Sequence, residues 1–215
     1  MTETSNNTTT TTTTSPTTNM KPNDPNSSHT PIRKERKTGK NTHLEILYYN
    51  CRGLANEERM CELEEAVKEI KWDMIGLAEV RRKGEGLIQR NNGNYFYYFG
   101  ETKGYGGIGF YVSKELWNNV TEIIKISDRI GVAKIKIDTK TKLSIFMVYA
   151  PTAEKDDIQI KEFYERLEDA ITNHSEYFNI VMGDWNAKLG KGEGIEGVTG
   201  PYGLGEINER GERLI

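Results

Sequence analysis

The 215-residue chain has few of the residues and runs that would place it in several common protein classes. Its two cysteines, Cys51 and Cys61, are too few for a disulfide framework or a zinc site, which favours a reducing intracellular compartment. It has no apolar run of membrane-spanning length, and its N-terminus lacks the apolar core of a signal peptide. The net charge of −3 argues against a protein that coats nucleic acid by bulk charge, but it leaves room for an enzyme that handles nucleic acid locally.

Apolar side chains are almost absent from residues 1–42, which include seven consecutive threonines, Thr8 to Thr14. Such a segment cannot bury enough surface to offset the entropy of ordering its backbone, so we predict a disordered tail. We interpret the basic end of the tail, Arg33 to Lys40, as a solvated linker; a nuclear-import address or a non-specific phosphate contact are the alternatives. Residues 43–215 are long enough to form one domain of ordinary size.

Strand and helix patterns alternate along the rest of the chain. Helices are predicted over residues 57–71, capped by Asn56, and over residues 156–174, and another helix begins near residue 210. The charged, glycine-bearing residues 81–93 are predicted to form a surface loop. The predicted strands are residues 43–49, 72–80, 95–100, 107–112, 128–138, 143–149 and the apolar run from Ile180 to Asp184, which we expect to be buried. This order predicts an α/β fold with several strand ends at one edge.

Polar side chains occur where four of the predicted strands end: Asn50, Glu79, Tyr149, and Asp184 with Asn186. If the last strand continues, Asp184 and Asn186 point to the same side, because side chains alternate along a strand. The set favours metal-assisted hydrolysis of a phosphate ester, in which Glu79 holds a hard cation such as Mg²⁺. Asp184 would orient or deprotonate a water, while the two asparagines and the Tyr149 hydroxyl would place hydrogen bonds around the phosphoryl oxygens.

Each of these residues also has a simpler interpretation. Glu79 could be a solvent-facing acid at a strand end, and Tyr149 a half-buried strand tyrosine. The aromatic run from Tyr95 to Phe99 could be a platform for stacking bases, but alternation in a sandwich core explains it at less cost. A group of basic residues near the expected site favours a polymeric phosphate substrate, although neighbouring acids weaken that signal: Arg81, Arg82, Lys83 and Arg90.

Six short segments follow one another in a distinctive order. They are Tyr-Asn-Cys-Arg-Gly-Leu (49–54), Leu-Ala-Glu-Val-Arg (77–81), Gly-Gly-Ile-Gly-Phe-Tyr-Val (106–112), Val-Tyr-Ala-Pro-Thr (148–152), Gly-Asp-Trp-Asn-Ala (183–187) and Asn-Glu-Arg-Gly-Glu-Arg-Leu (208–214). In this set and order the chain resembles the endonuclease/exonuclease/phosphatase superfamily. Within it, the chain is most similar to the apurinic-endonuclease-like domains of non-LTR retrotransposons and to the related craniofacial development protein 2 group.

The resemblance implies a four-layer α/β sandwich, in which two mixed sheets pack face to face with helices outside. It also implies a phosphodiesterase site that uses Mg²⁺, or alternatively Mn²⁺, and takes DNA as its substrate in the nucleus. By motif, Glu79 is the metal ligand, Asn50 assists at the metal and the phosphate, and Tyr149 contacts the phosphate. Asp184 aligns the nucleophilic water, and Asn186 stabilises the transition state. Asn208 lies in a family segment without an assigned role.

The chain departs from the family pattern in one respect. The family pattern ends with a Ser-Asp-His segment that completes the site, whereas the three histidines of this chain, His29, His43 and His174, stand in other contexts. We therefore expect an incomplete site, an unpaired sheet edge and little activity from these residues alone. Three functions are carried forward: a retrotransposon-type DNA endonuclease, a phosphatase of the same superfamily, and a non-catalytic remnant. No membrane contact or obligate protein partner is expected.

Overall fold

Residues 43–152, 156–191 and 199–215 are described by the structure, a computed structural model of the chain. The predicted tail, residues 1–42, lies outside the described residues. In chain order the elements are β1 (Ile46–Asn50), α1 (Glu57–Ala66), β2 (Met74–Ala78), β3 (Gly84–Gln89), β4 (Tyr95–Gly100), β5 (Ile108–Val112), α2 (Lys114–Trp117), β6 (Val120–Lys125), β7 (Ile130–Lys136), β8 (Lys142–Tyr149), α3 (Asp157–His174), β9 (Phe178–Asp184) and α4 (Glu209–Leu214).

The strands form two mixed sheets. The first has the order β1-β2-β5-β4-β3, and only β1 and β2 run parallel in it. The second has the order β6-β7-β8-β9, and only β8 and β9 run parallel. Each parallel pair is joined through a helix, α1 or α3, as parallel strands require. Both pairs therefore bring two carboxyl ends to one edge of their sheet.

The two sheets pack face to face, and a helix covers the outer face of each. The inner core includes Phe110 from the first sheet and Ile145 and Met147 from the second, all fully buried. Met60 and Leu63 of α1 pack on the outer face of the first sheet, and α3 packs on the second. These four layers, helix, sheet, sheet and helix, confirm the predicted α/β sandwich.

Helix α1 is shorter than predicted. Asn56 caps it as expected, accepting a hydrogen bond from the Arg59 amide, but the helix ends at Ala66 rather than near residue 71. The Trp72 indole donates to the carbonyl oxygen of Val67, which holds the chain in a turn beyond the helix. As a result Val67 is only half-buried. Ile70, which an intact helix over residues 57–71 would place on the same buried face as Met60 and Leu63, is 50% exposed.

The prediction of a surface loop over residues 81–93 is wrong, because these residues contain strand β3. It pairs antiparallel with β4 along its whole length. Gly86 allows this pairing, since a Cβ there would lie 2.8 Å from the ring of Tyr98. The aromatic run in β4 is confirmed as core, with Phe96 and Phe99 fully buried. The sequence analysis also missed residues 114–125, which form α2 and β6.

Strand β9 is not the buried strand that the sequence predicted. It pairs with β8 on one side, and none of the described residues forms a strand on its other side. Phe178, Ile180 and Val181 are 52%, 38% and 36% exposed. Among the described residues, the apolar run of β9 therefore forms an edge strand. Most of its length lacks the charged side chains that usually protect such an edge.

The packing of Phe99 on Gly131 gives a test of the contact between the sheets. A Cβ at Gly131 would lie 2.2 Å from Cζ of Phe99, a fully buried ring that cannot retreat. We expect Gly131→Ala to lower the free energy of unfolding by about 1–3 kcal/mol, as overpacked cores do. Urea unfolding would measure this. The double variant Gly131→Ala with Phe99→Leu should lose less than the sum of the single changes; strict additivity would contradict the contact.

Candidate active site

The candidate site lies at the edge where β1, β2, β8 and β9 end. Asn50 is the last residue of β1, and Glu79 follows the last residue of β2 directly. Tyr149 and Asp184 end β8 and β9 and are paired in the register of these strands. β1 and β9 also approach each other between the sheets, which brings the two halves of the edge together. The structure therefore places these four predicted residues at one edge.

Asn50 links the two carboxylates of the site. Its Nδ2 donates to Oε1 of Glu79 and to Oδ2 of Asp184, both at 3.0 Å. Its Oδ1 accepts from the backbone amide of Arg52 at 3.1 Å, which fixes the orientation of the side chain. One amide nitrogen thus lies between an acid from each sheet, although Asn50 and Asp184 are 134 residues apart in sequence.

Glu79 has a second partner in Arg81. Nη2 of Arg81 donates to Oε2 of Glu79 at 2.6 Å, and the side chain of Glu79 is only 17% exposed. Burial raises the pKa of Glu79, but the hydrogen bonds from Asn50 and Arg81 outweigh it, so the pKa is lowered overall. Glu79 is therefore held as a carboxylate by two donors.

The backbone at this edge is strained. Among the described residues, the non-glycine positions with positive φ are Arg52, Glu79, Arg81 and Asn186, at φ values of 46°, 55°, 57° and 49°. All four lie in the loops that follow β1, β2 or β9. Left-handed backbone costs a non-glycine residue about 1–3 kcal/mol and clusters at functional sites. The strain here is concentrated where the polar residues converge.

Asn186 does not continue β9, and the predicted alternation beyond Asp184 is wrong. The strand ends at Asp184, and the left-handed Asn186 turns back so that its amide donates to Oδ1 of Asp184 at 3.0 Å. Nδ2 of Asn186 donates to the carbonyl oxygen of Ala150 at 2.7 Å. In this structure Asn186 therefore fixes the Asp184 carboxylate against the end of β8.

Tyr149 lies on the inner side of the same edge and is 5% exposed. The Arg129 guanidinium lies over its ring at 4.9 Å, and Nη1 of Arg129 donates to the Tyr149 carbonyl oxygen at 3.1 Å. Burial, and next the charge of Glu79, raise the pKa of the Tyr149 phenol, while Arg129 lowers it. The phenol therefore keeps its proton at neutral pH and can donate a hydrogen bond.

Sequence reasoning missed Tyr48, which also borders the site. It lies two residues before Asn50 on β1, so both side chains point to the same face. Burial raises the pKa of Tyr48, and the negative charges of Asp184 and Glu79 raise it further. The signal in the sequence is the spacing of two residues between Tyr48 and Asn50 on one strand.

Two of the basic residues that suggested a polymeric substrate are occupied elsewhere. Arg82 donates to the carbonyl oxygen of Leu54 at 2.6 Å, and Arg90 pairs with Glu57 and Glu64 of α1. Their side chains are 12% and 9% exposed. Arg82 and Arg90 therefore fasten β3 to α1 and are not available to a phosphate, which corrects that part of the sequence interpretation.

Neither histidine of the described residues lies at the site. His43 precedes β1 and His174 ends α3, which places both at the opposite edge of the sheets. Asn208 has a structural role: it caps α4 by accepting from the Gly211 amide, and it also accepts from the Lys188 amide. Within the described ranges, therefore, no imidazole is available for proton transfer at the site.

The donor set fits a hard cation in part. Glu79 and Asp184 offer carboxylate oxygens, the ligand type that Mg²⁺ prefers. In this structure Asn50 donates to both carboxylates, and the Arg81 guanidinium pairs with Glu79. Asn50 could add its Oδ1 only by turning its amide. No group of three or more acidic, histidine or cysteine side chains suited to a metal is found in residues 43–152, 156–191 and 199–215.

Two facing mixed sheets with an acidic site at the carboxyl ends of their parallel strands define an α/β-sandwich protein with a site at the sheet edge. Residues 47–204 match the model of the Endonuclease/Exonuclease/phosphatase family, and the chain belongs to this family. Members of this superfamily hydrolyse phosphodiester bonds and generally use divalent metals. The family assigned from the six sequence segments is thereby confirmed.

Among curated proteins, the chain is similar to craniofacial development protein 2 of Bos taurus, with 32% identity over 171 residues. This match covers 78% of the chain but only 28% of the relative's length. Among solved structures, it is similar to a humanized D. rerio TDP2 (18% identity, 66% of each chain, TM-score 0.47) and to an AP endonuclease from Leishmania major (10% identity, 68% of this chain and 56% of that chain, TM-score 0.48). In the described part of the chain, no helix has the length and apolarity needed to cross a membrane.

Proposed function

We propose that this chain carries a divalent-metal-dependent phosphodiesterase site that cleaves DNA, in the manner of retrotransposon endonucleases. The observation that carries the proposal is the convergence of Glu79 and Asp184 on one nitrogen of Asn50. Two acids brought together from different sheets require a positive charge between them, and a bound Mg²⁺ or Mn²⁺ would supply it together with Lewis-acid stabilisation of the phosphoryl group.

The proposed roles follow from the contacts of each residue. Glu79 and Asn50 would hold the cation, and Asp184, fixed by the Asn186 amide, would orient the attacking water and accept its proton. As the water oxygen bonds to phosphorus, the bond from phosphorus to one sugar oxygen would break, and the cation would stabilise the charge on that leaving oxygen. The protonated phenol of Tyr149 donates a hydrogen bond to a phosphoryl oxygen. Since neither described histidine reaches the site, Asp184 would act without an imidazole, and we expect slow turnover from this chain.

DNA is the proposed substrate because basic side chains surround the acidic centre on separate loops. Arg52, Lys83 and Lys103 are exposed on the loops after β1, after β2 and after β4. Spaced cations of this kind suit successive phosphates of a polymer better than the single phosphate of a small ester. A nuclear location is part of the same proposal.

Incubation of the purified chain with supercoiled plasmid tests this function. We expect slow nicking that requires Mg²⁺ or Mn²⁺, stops with chelator and is lost in Asp184→Asn. The matched control is Asp138→Asn, which changes an exposed acid in the turn at the opposite edge.

Three results would contradict the proposal. Phosphate release from soluble monoesters without nicking would favour the phosphatase of the same superfamily. Nicking that needs no divalent cation would exclude the proposed metal. Absence of nicking with either cation would leave a protein that binds nucleic acid or another partner without catalysis.

A further inference from the structure

The ion pair between Arg81 and Glu79 occupies one of the two carboxylate oxygens with which Glu79 would hold the proposed cation. Nη2 of Arg81 lies 2.6 Å from Oε2 of Glu79, and Asn50 donates to the other oxygen of the same carboxylate. We propose that Arg81 is an internal counter-ion of Glu79, which a divalent cation displaces and which then binds the substrate's phosphate. This inference rests on the proposed function and concerns how the same site is filled.

The backbone of Arg81 is built to hold the guanidinium at this place. Its left-handed φ of 57° is maintained by a hydrogen bond from its amide to the Gly106 carbonyl at 2.8 Å and by one from the Gly104 amide to its own carbonyl at 3.0 Å. Its side chain also passes beside Gly53, where a Cβ would lie 3.5 Å from Cδ of Arg81. Strained backbone that the loop between β4 and β5 holds by two hydrogen bonds points to a selected position for the side chain.

The side chain itself remains free to leave. Arg81 is 40% exposed, while its partner Glu79 is 17% exposed. Arg81 holds Oε2 of Glu79 and Asn50 holds Oε1, so a cation bound to both oxygens of this carboxylate would meet the guanidinium at contact distance, where the two positive charges repel each other. Binding of the cation therefore releases Arg81 toward solvent at the rim of the site.

The released guanidinium stands next to the place where a phosphate would bind the cation. A planar guanidinium suits phosphate oxygens, which it can bind through two parallel hydrogen bonds. Arg81 thus has opposite effects on two ligands: it competes with the cation and assists the phosphate. A residue that only supported the position of Glu79 would change the affinities for the cation and for the phosphate in the same direction, or would change neither.

Cation affinity of the intact chain tests the first half of the inference. Mn²⁺ binding followed by electron paramagnetic resonance should be roughly three- to tenfold tighter in Arg81→Met than in the wild type, because a competing ion pair is removed. Lys188→Met is the matched control, since it removes one positive charge from the exposed loop after β9 at the same edge, and it should change affinity by less than about twofold.

Inorganic phosphate tests the second half. At saturating Mg²⁺, calorimetry should show phosphate binding several-fold more weakly in Arg81→Met than in Lys188→Met. In the wild type, the side-chain Nε–H resonance of Arg81, assigned by its loss in Arg81→Met, should shift when Mg²⁺ is added. Circular dichroism would verify that both variants are folded.

The outcomes separate the inference from the function on which it rests. Equal changes in Arg81→Met and Lys188→Met, or weaker cation binding in Arg81→Met, would overturn the role of Arg81 while leaving the site intact. If Glu79→Gln binds Mn²⁺ as the wild type does, the metal site of the proposed function fails, whatever Arg81 does.

Discussion

Replacing Glu79 with glutamine should reduce Mg²⁺-dependent nicking of plasmid DNA by about 100-fold or more, because the metal's contribution of several kcal/mol is lost with its ligand. Glutamine can still accept the hydrogen bond from Asn50, so the shape of the site is kept while the charge that attracts the cation is removed. Initial rates of nicking at saturating Mg²⁺ would measure the effect.

The control for this change is Glu101→Gln, which removes an exposed carboxylate from the loop after β4 on the same edge. Its nicking rate should stay within about twofold of the wild type, since an exposed charge at this distance is screened by salt. Retention of more than a tenth of the rate in Glu79→Gln would show that another group holds the cation.

Gly183→Ala should have the largest effect on stability, about 3 kcal/mol or more, because it combines a close contact with left-handed backbone strain. Gly183 has a φ of +149°, and a Cβ there would lie 1.8 Å from the carbonyl oxygen of Val148, which is part of the β8 backbone. The end of β9 would have to move away from β8 and carry Asp184 with it.

Urea unfolding would give the stability loss, and Mn²⁺ affinity would report the displacement of Asp184. Gly200→Ala serves as the control, because a Cβ at Gly200 has no neighbour within 4 Å. Its free energy of unfolding should change by less than about 0.5 kcal/mol, as for ordinary surface changes. An unchanged stability in Gly183→Ala would show that β9 is not held against β8 by this glycine.

Local pattern was sufficient for the elements whose residues carry their own signal. α3, predicted over residues 156–174, begins after its cap, Asp156. It buries the apolar side chains that recur every three or four residues: Ile160, Phe163 and Leu167. The alternating and apolar runs of β4 and β8 were also predicted. β3 could not be predicted from its own residues, since glycine and charge disfavour a strand and its stability comes from pairing with β4 and from Arg82 and Arg90.

The site was predictable as a set of residues but not as a set of contacts. Strand ends identified Asn50, Glu79, Tyr149 and Asp184, because side chains at neighbouring carboxyl ends must meet. Whether Asn50 would join acids from both sheets depended on how the sheets face each other, which local pattern does not determine. The turn at Asn186 and the pairing of Arg81 with Glu79 depend on left-handed backbone, which asparagine tolerates but does not specify and for which glutamate and arginine give no signal.

The bridge through Asn50 also connects the two most weakly supported strands near the site. β1 and β9 each have one strand neighbour among the described residues, whereas Glu79 follows β2, which lies between two strands. Local opening should therefore begin at β9, and amide hydrogen exchange should be faster there than in β2 or β8. A cation bound by Glu79 and Asn50 beside Asp184 would slow this exchange, because its charge favours the closed form in which the two acids lie together, and it would thereby link the two sheets.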